Sequence, residues 1–204
     1  ANIVEGSYTQ HSSIDVLEDP SIVTSMQQLQ ISQSRYWLDN GIGTIRPLAR
    51  ETRTRKVESQ QWIKKGKAAS WALRQWLYSR RGQDKPFWVA TRQSDFICVL
   101  DIVAATLTID VAHIGIEITE PFDIALFPVS GSPTYHHVES VTEIGTTVQR
   151  LVLSAAVGVD LTIAEIQRVS LLRLYRQASD ALKLTHQASD VHLITRAQVP
   201  LTSP

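Results

Sequence analysis

Beyond Pro86 the chain follows a two-residue alternation of apolar and polar side chains that is interrupted at regular intervals. The alternation is clearest at Leu107, Ile109 and Val111, and successive side chains of a β-strand point to opposite faces. Turn-forming residues interrupt it about every 11 to 14 positions, at Glu120-Pro121, Gly131-Ser132-Pro133, Gly145 and Gly158. This spacing is typical of antiparallel strands joined by short turns. We therefore predict a mainly β fold, an antiparallel β-sandwich or barrel.

A single segment shows a helical period instead of the strand period. Between Glu58 and Arg80, apolar residues recur on one face of a helix, at Trp62, Ala69, Leu73, Trp76 and Leu77. Gly82 follows shortly afterwards, and glycine is the residue most often found just beyond a helix. We predict one amphipathic helix at about 58–80 that packs on the sheet through Trp62, Leu73, Trp76 and Leu77. The fold class is therefore α+β, dominated by β-structure.

The first part of the chain differs in composition from the rest. Residues 1–34 are rich in Ser, Thr and Gln, and Pro20 interrupts any regular structure there. We predict a polar N-terminal arm over residues 1–45 and a β-rich domain over residues 46–204. The arm would become ordered on assembly with a neighbour. Ala1–Gly6 lacks a basic region and an apolar run, so we expect no signal peptide at this end.

The basic residues are concentrated in one segment of a chain whose formal net charge is +0. Thirteen of the 20 Lys and Arg residues lie between Arg46 and Arg92, against only three acidic residues, Glu51, Glu58 and Asp84. The segment therefore carries 13 minus 3, or +10, and the remainder carries 7 minus 17, or −10. Opposite charges of this size predict attraction between copies of the chain.

Cysteine content and hydropathy restrict the environment of the protein. Cys98 is the only cysteine and lies in the apolar run Phe96–Leu100, which excludes an intrachain disulfide and predicts a buried thiol. Asp101 and Asp110 interrupt the longest apolar stretch, which is shorter than the roughly 20 residues that a bilayer crossing requires. We therefore expect no membrane association.

Few residues could converge in a catalytic or metal site. His136-His137 is the most suggestive pair, but neighbours on a strand point to opposite faces, so one metal ion would not bind both. Gly41-Ile42-Gly43 lacks the third glycine of a phosphate-binding loop, and no Gly-x-Ser-x-Gly nucleophile motif occurs. We predict a protein that is not an enzyme, with no catalytic residue, no metal and no cofactor.

A four-residue sequence occurs twice near the end of the chain. Gln-Ala-Ser-Asp stands at residues 177–180 and again at 187–190, and each copy is followed by an alternating run. A solenoid would need at least three such units, so we interpret the repeat as two successive strands of one sheet.

The basic, aromatic segment 46–92 also supports an alternative function. Arg and Lys interleaved with Trp can neutralise phosphates and stack on bases, which is how single-stranded nucleic acids are bound. In this alternative Trp88 would stack on a base. Because most of the tryptophans fall on the helical stripe or at the start of the β-region, packing is the simpler use, and we disfavour nucleic acid as a partner. A hydrolytic or sugar-binding accessory domain would require clustered carboxylates, which the sequence does not reveal.

Two stretches of the sequence, in this order, resemble a family of tail-tip proteins of long-tailed bacteriophages. The first is the helical sequence Trp71–Leu77 followed by Arg80–Phe96, which reads RRGQDKPFWVATRQSDF. The second is Val169–Asp180, which reads VSLLRLYRQASD, followed by the β-rich ending at Val199-Pro200. The resemblance covers about residues 50–204.

The resemblance implies a structural role in the virion, at the tail tip, after assembly in the host cytoplasm. Distal-tail and baseplate-hub proteins are similar to the tail-tube fold, an antiparallel β-sandwich or barrel flanked by one helix, and form a ring. We expect a ring of this chain, a hexamer in preference to a trimer, with tail-tube, tape-measure, hub or fibre proteins as neighbours. The separation of charge agrees with such a ring, because each contact can place a positive face of one subunit against a negative face of the next. The residues expected to face acidic partners are Arg50, Arg53, Arg55, Arg80, Arg81 and Lys85.

Overall fold

The computed structural model describes residues 7–19, 29–32, 35–38, 46–49, 55–113, 121–188 and 190–201. The chain divides into two compact units. The first unit comprises Ala1–Gly6, Ser21–Pro86 and Tyr175–Pro200, and the second comprises Ser7–Pro20, Phe87–Leu174 and Leu201–Pro204. The strands pair almost entirely antiparallel, and one α-helix occurs among the described residues, which confirms the predicted mainly β, α+β class. The sheet is not closed into a barrel.

The elements are numbered along the chain. They are β1 (Gln10–His11), β2 (Ile14–Asp15), β3 (Leu29–Ser32), β4 (Arg35–Leu38), β5 (Arg46–Ala49), β6 (Arg55–Lys65), α1 (Lys67–Ser79), β7 (Phe87–Ala90), β8 (Thr108–Ala112), β9 (Phe122–Pro128), β10 (Thr134–Glu143), β11 (Val148–Leu153), β12 (Ile166–Gln177), β13 (Lys183–Ala188) and β14 (Val191–Pro200). A 3₁₀ turn at Ile163–Glu165 precedes β12.

The sheet of the first unit is built around β14. One edge of β14 pairs with β6 from Val191 to Gln198, and β6 in turn pairs with β3. The other edge pairs with β13 and, further along, with the last residues of β12. A separate hairpin joins β4 to β5. Every pairing in this unit is antiparallel, as expected for strands joined by short turns.

The β6–β14 ladder corrects the predicted start of the helix. Trp62 lies opposite Ile194, and both side chains are 0% exposed. Trp62 therefore belongs to a strand, and the segment Glu58–Lys65 is extended instead of helical. The seven-residue spacing from Trp62 to Ala69 matches a helical period only by coincidence, because Ala69 is exposed and does not share a buried face with Trp62. Pairing with β14 outweighs the weak helical pattern, as tertiary context commonly does for short segments.

The helix α1 begins after Gly66 and buries one face. Gly66 has a φ of 86°, a conformation that glycine adopts without strain, and it separates the strand from the helix. The buried face consists of Ser70, Leu73, Trp76, Leu77 and Ser79. At the other end Gly82 has a φ of 64°, in agreement with the helix end that glycine predicts there.

The repeated Gln-Ala-Ser-Asp sequence lies at the two turns that flank β13, in accord with two successive strands of one sheet. The first copy holds the end of α1, because Gln177 Nε2 donates to Leu77 O at 2.8 Å and Gln83 Nε2 donates to Ala178 O at 2.6 Å. The second copy holds the beginning, since Gly66 N donates to Asp190 O at 2.8 Å. Both ends of the helix are therefore tied to the same hairpin region.

The sheet of the second unit runs in the order β12, β9, β10, β11, β8, and β7 pairs with β12. Its main core contains a stacked aromatic pair, Phe96 and Phe122, whose ring centroids are 5.7 Å apart. Single-residue bridges from Phe96 to β12 and from Cys98 to β8 connect this segment to both outer strands. Cys98 is buried, as predicted.

Residues 7–19 differ from the predicted polar arm. They form the β1–β2 hairpin, and Val16 and Leu17 are 3% and 6% exposed. Leu17 N donates to Trp88 O at 2.8 Å, so this segment packs within the second unit. Its apolar residues are few, but the structure places them against the β7 strand. The remainder of the predicted arm lies largely outside the described residues.

We predict that Gly82→Ala destabilises the protein by more than about 1 kcal/mol, because the substitution adds both backbone strain and a clash. A Cβ atom at Gly82 would lie 1.8 Å from Asp180 Oδ1 and 3.2 Å from Asp180 Cα, so the carboxylate must turn away and lose the hydrogen bond that it accepts from Gln83 N. Gly66→Ala is the matched control: its φ is also positive, at 86°, but no atom lies within 4 Å of the added carbon. Urea unfolding would measure both variants. Equal losses for the two would contradict the proposed clash.

We predict that the Cys98 thiol is unreactive in the folded protein. Burial raises its pKa to about 11 from an ordinary 9.0. Because the unfolded thiol loses its proton first, the free energy of unfolding should fall as pH rises from about 9 to about 11. A disulfide reagent such as dithionitrobenzoate should therefore react slowly until urea is added. The control is an exposed thiol, Val129→Cys in a Cys98→Ala background, since Val129 is 67% exposed. Equally fast labelling of both thiols would contradict the prediction.

Candidate protein interface

The outer side of α1 carries an exposed tryptophan, Trp71, beside two half-buried side chains, Arg74 and Tyr78. Trp71 is 47% exposed, although it lies on a helix whose opposite side is buried. The Arg74 guanidinium lies 5.3 Å from the Trp71 ring centroid and 5.7 Å from that of Tyr78. Arg74 also donates to the Tyr78 hydroxyl at 3.3 Å. We call Trp71, Arg74 and Tyr78 the aromatic face of α1.

The composition of the aromatic face is that of a protein-binding surface. Trp, Tyr and Arg are the residues most enriched at the energetic centres of protein interfaces. The three side chains hold one another in place, so little side-chain freedom remains to be lost on binding. Lys67, one turn before Trp71, is also exposed. Arg74 is half-buried, and none of the ion pairs seen within the described residues involves it.

The six residues predicted to contact partners have different positions in the structure. Arg50 and Arg53 lie outside the described residues, and of Arg55 only the backbone, at the start of β6, is described. Arg81 is exposed and Lys85 is half-buried. These last two lie in the turn that follows α1. The contact role of these two residues stays a prediction, and the sequence did not indicate the aromatic face of α1.

Arg80 corrects the prediction, because it is interior. Only 5% of the residue is exposed, its guanidinium lies 5.0 Å from the Trp76 ring centroid, and its Nη2 donates to Ser79 Oγ at 3.0 Å. Arg80 keeps right-handed helical backbone angles, φ −75° and ψ −8°, so its side chain continues the buried face formed by Trp76 and Leu77 one turn earlier. Arg196 is likewise 1% exposed, and burial lowers its pKa to about 9. Arg80 and Arg81 are adjacent in sequence, yet the first is buried and the second is exposed.

The division of the chain into two units is also a division of charge. The first unit contains 16 basic and 7 acidic residues, a formal net charge of +9. The second contains 4 basic and 13 acidic residues, a net charge of −9. The charge asymmetry seen along the sequence therefore belongs to two folded bodies. Two bodies with opposite net charges of this size attract each other in solution.

The second unit exposes apolar side chains on two neighbouring segments, residues 100–104 and 158–163. Two backbone hydrogen bonds between Ile102 and Leu161, 2.8 and 2.9 Å long, hold the segments together. Both of these residues are buried. Four apolar side chains on the same segments are about half exposed: Leu100 58%, Val103 52%, Val159 44% and Ile163 46%. Clustered exposed apolar side chains on a folded protein mark a site of association.

Three exposed carboxylates accompany these apolar side chains. Asp101 and Asp160 each accept a backbone N–H of the opposite segment, at 2.8 and 2.7 Å. The backbone and side chain of Thr162 donate to Glu165 and hold the pKa of that carboxyl below its usual range, so it stays ionised at neutral pH. We call the four apolar side chains and the three carboxylates the acid-rimmed surface. Sequence reasoning missed this surface, because residues 99–107 show no regular strand period.

The second unit also contains a cluster of histidines around a buried carboxylate. Asp123 is 4% exposed, and its Oδ1 lies 2.7 Å from His11 Nε2 and 3.0 Å from His137 Nδ1. The Trp88 indole donates to His11 O at 3.1 Å. Asp123 and His137 are direct cross-strand partners on β9 and β10. Sequence reasoning did not find this cluster, since His11 is 112 residues away from Asp123 in the chain.

The histidines do not form a metal site within the described residues. No group of three or more His, Cys, Asp or Glu there is arranged to hold a metal ion. His136 is 7% exposed and contacts Thr134 Oγ1, whereas the neighbouring His137 contacts Asp123. His186 and His192 face each other across β13 and β14, with their Nδ1 atoms 2.8 Å apart, but they supply two nitrogens only.

The tryptophan that the nucleic-acid alternative requires is interior. Trp88 is 4% exposed, and its indole N–H is already bonded to His11 O. Its ring also meets the His11 ring edge-on, with centroids 5.5 Å apart. A base could stack on Trp88 only if residues 7–19 moved away. This geometry offers that alternative no support at Trp88.

We predict that His136 makes the protein less stable in mild acid. Burial, and then the nearby His11, lower the pKa of His136 below its ordinary 6.5. The unfolded chain therefore takes up this proton first, and the free energy of unfolding falls as pH drops through about 6.5. His136→Gln should lose less stability between about pH 7.5 and about pH 5 than the wild type in urea titrations. His113→Gln, at an exposed histidine, is the control, and an identical pH dependence for wild type and His136→Gln would refute the prediction.

Comparisons with known proteins do not identify a family for this chain. No protein-family model matches the sequence, and no curated protein is significantly similar to it. Within the described residues, no helix has both the length and the apolar composition that crossing a bilayer requires. The functional conclusion therefore depends on the fold, the charges and the two exposed surfaces.

Proposed function

We propose that the chain is a structural subunit of the tail tip of a long-tailed bacteriophage. In this proposal it forms a ring, a hexamer in preference to a trimer, that joins the tail tube to hub or fibre proteins. Its mainly antiparallel β fold, with one α-helix among the residues that the structure describes, is of the kind that the resemblance at Trp71–Phe96 and Val169–Asp180 implies. The role is mechanical and needs no catalytic residue, metal or cofactor.

The observation that carries the proposal is the division of charge between the two units. One unit has a net charge of +9 and the other −9, so the positive unit of one copy complements the negative unit of the next. A contact between two different surfaces is heterologous, and repeated heterologous contacts generate a closed ring when the rotation closes. A monomeric protein has no need of this arrangement, whereas a ring subunit uses it at every interface.

The remaining predicted roles fit the same proposal. Arg81, which is exposed, and Lys85, which is half-buried, lie in the turn after α1, and in this proposal they face acidic neighbours such as hub or tube proteins. The aromatic face of α1 and the acid-rimmed surface supply exposed apolar contact area in each unit. Electrostatic attraction would accelerate and orient assembly, and apolar burial would supply most of its affinity.

We predict that the purified chain forms assemblies whose stability falls with salt. Sedimentation velocity at about 50 mM and about 500 mM sodium chloride should show oligomers at the lower concentration and smaller species at the higher, because added ions screen the attraction. Negative-stain images of the oligomers should show rings. The rotational symmetry of those images would distinguish a hexamer from a trimer.

Two results would contradict the proposal. One is a chain that stays monomeric at both salt concentrations and binds neither tail-tube nor hub proteins. The other is tight, salt-dependent binding of single-stranded DNA with a change in tryptophan fluorescence, which would favour the nucleic-acid alternative.

A further inference from the structure

We propose that the ring contact is made by the aromatic face of α1 in one copy and the acid-rimmed surface of the next copy. This inference rests on the proposed function and names the two surfaces that would build the ring. Trp71 would lie among Leu100, Val103, Val159 and Ile163 of the neighbour. Arg74 and Lys67 would lie near the bordering carboxylates Asp101, Asp160 and Glu165.

Both surfaces contain exposed apolar side chains that association would bury. Trp71 is 47% exposed, and Leu100 and Val103 are 58% and 52% exposed. Water leaves all of these side chains if the indole packs against the neighbour, and burial of apolar area is the main favourable term in protein association. An indole surrounded by aliphatic side chains and closed off by polar residues is the usual form of an interface hot spot.

The charges at the borders of the two surfaces are opposite in sign, which favours this pairing. The aromatic face carries the Arg74 guanidinium, with Lys67 on the same side of the helix. The acid-rimmed surface carries three exposed carboxylates, and the pKa of Glu165 is held below its usual range by Thr162. Like charges disfavour the two self-pairings, because two aromatic faces would oppose cations and two acid-rimmed surfaces would oppose anions.

The partner is a second copy of this chain rather than a nucleic acid. The two surfaces lie on different units, one of net charge +9 and one of −9, so each molecule can offer both halves of the contact. A nucleic acid could be attracted to the aromatic face, but its phosphates could not bind the carboxylates of the acid-rimmed surface, which would stay without a partner. A partner that complements the acid-rimmed surface must have basic residues around an apolar or aromatic centre, and the chain itself carries such a surface on α1.

Complementary loss-of-contact variants test this pairing directly. Trp71→Ala removes the aromatic anchor and keeps the acid-rimmed surface. The double variant Leu100→Ser/Val103→Ser alters the acid-rimmed surface and keeps the aromatic face. Each variant alone should be monomeric in sedimentation velocity at about 50 mM salt, with affinity at least about tenfold weaker than wild type. An equimolar mixture should form a heterodimer and nothing larger, because exactly one intact contact remains per pair.

Matched controls separate the contact from general effects on folding. Trp71→Phe keeps an aromatic ring and should retain assembly. Ile144→Ser changes an equally exposed apolar residue elsewhere in the second unit, 50% exposed, and should have no effect. Asp101→Asn/Asp160→Asn keeps the oxygen that accepts the backbone N–H but removes two charges, so assembly should weaken and lose part of its salt dependence. Circular dichroism would verify that every variant is folded.

The outcomes distinguish this inference from the proposed function. If the wild type assembles and Trp71→Ala assembles equally well, the contact proposed here is wrong and the ring is made elsewhere. The same conclusion follows if both variants are monomeric but their mixture forms no heterodimer. A wild-type chain that never assembles and binds no tail protein would overturn both proposals together.

Discussion

The antiparallel pairing of β6 with β14 determines where most features of the first unit lie. The ladder from Lys65 to Glu58 buries Trp62 against the sheet and leaves Gly66 to begin α1. The Gln-Ala-Ser-Asp turns then hold both ends of the helix. With Leu73, Trp76 and Leu77 turned inward, the geometry of a helix places Trp71, Arg74 and Tyr78 on another side. The exposed aromatic face is thus a consequence of strand pairing and helix geometry.

In the proposed function, charge and apolar exposure together drive the association of the chain. Charge alone would not be sufficient, because exposed ion pairs contribute little affinity and are screened by salt. Exposed apolar residues alone would not be sufficient either, because scattered ones are common on protein surfaces. Here the exposed apolar residues of the second unit are accompanied by Asp101, Asp160 and Glu165, and those of α1 by Arg74 and Lys67. The combination favours a partner that has the opposite charge and its own apolar centre.

The sequence predicted the fold class well and the individual side chains less well. The β-period and the turn spacing identified the mainly β fold, and the repeat identified the β13–β14 hairpin. The helix boundary was wrong at its start, because Trp62 fits a helical and an alternating pattern equally in a short window. Arg80 was wrongly placed on the surface, because it lies one turn beyond Trp76 and Leu77 on the buried face of the helix. The acid-rimmed surface and the cluster around Asp123 had no local signal, because both join segments that are distant in the chain.

The sequence by itself determined the strand period, the glycines that end elements and the unequal distribution of charge, because these depend on near neighbours in the chain and on composition. Only the tertiary structure decided which residues are exposed. Trp88 and Trp71 are both tryptophans in one basic segment, yet one is 4% and the other 47% exposed. The physical reason is that burial depends on which distant segments pack together, such as residues 7–19 over Trp88, and no local pattern encodes that choice.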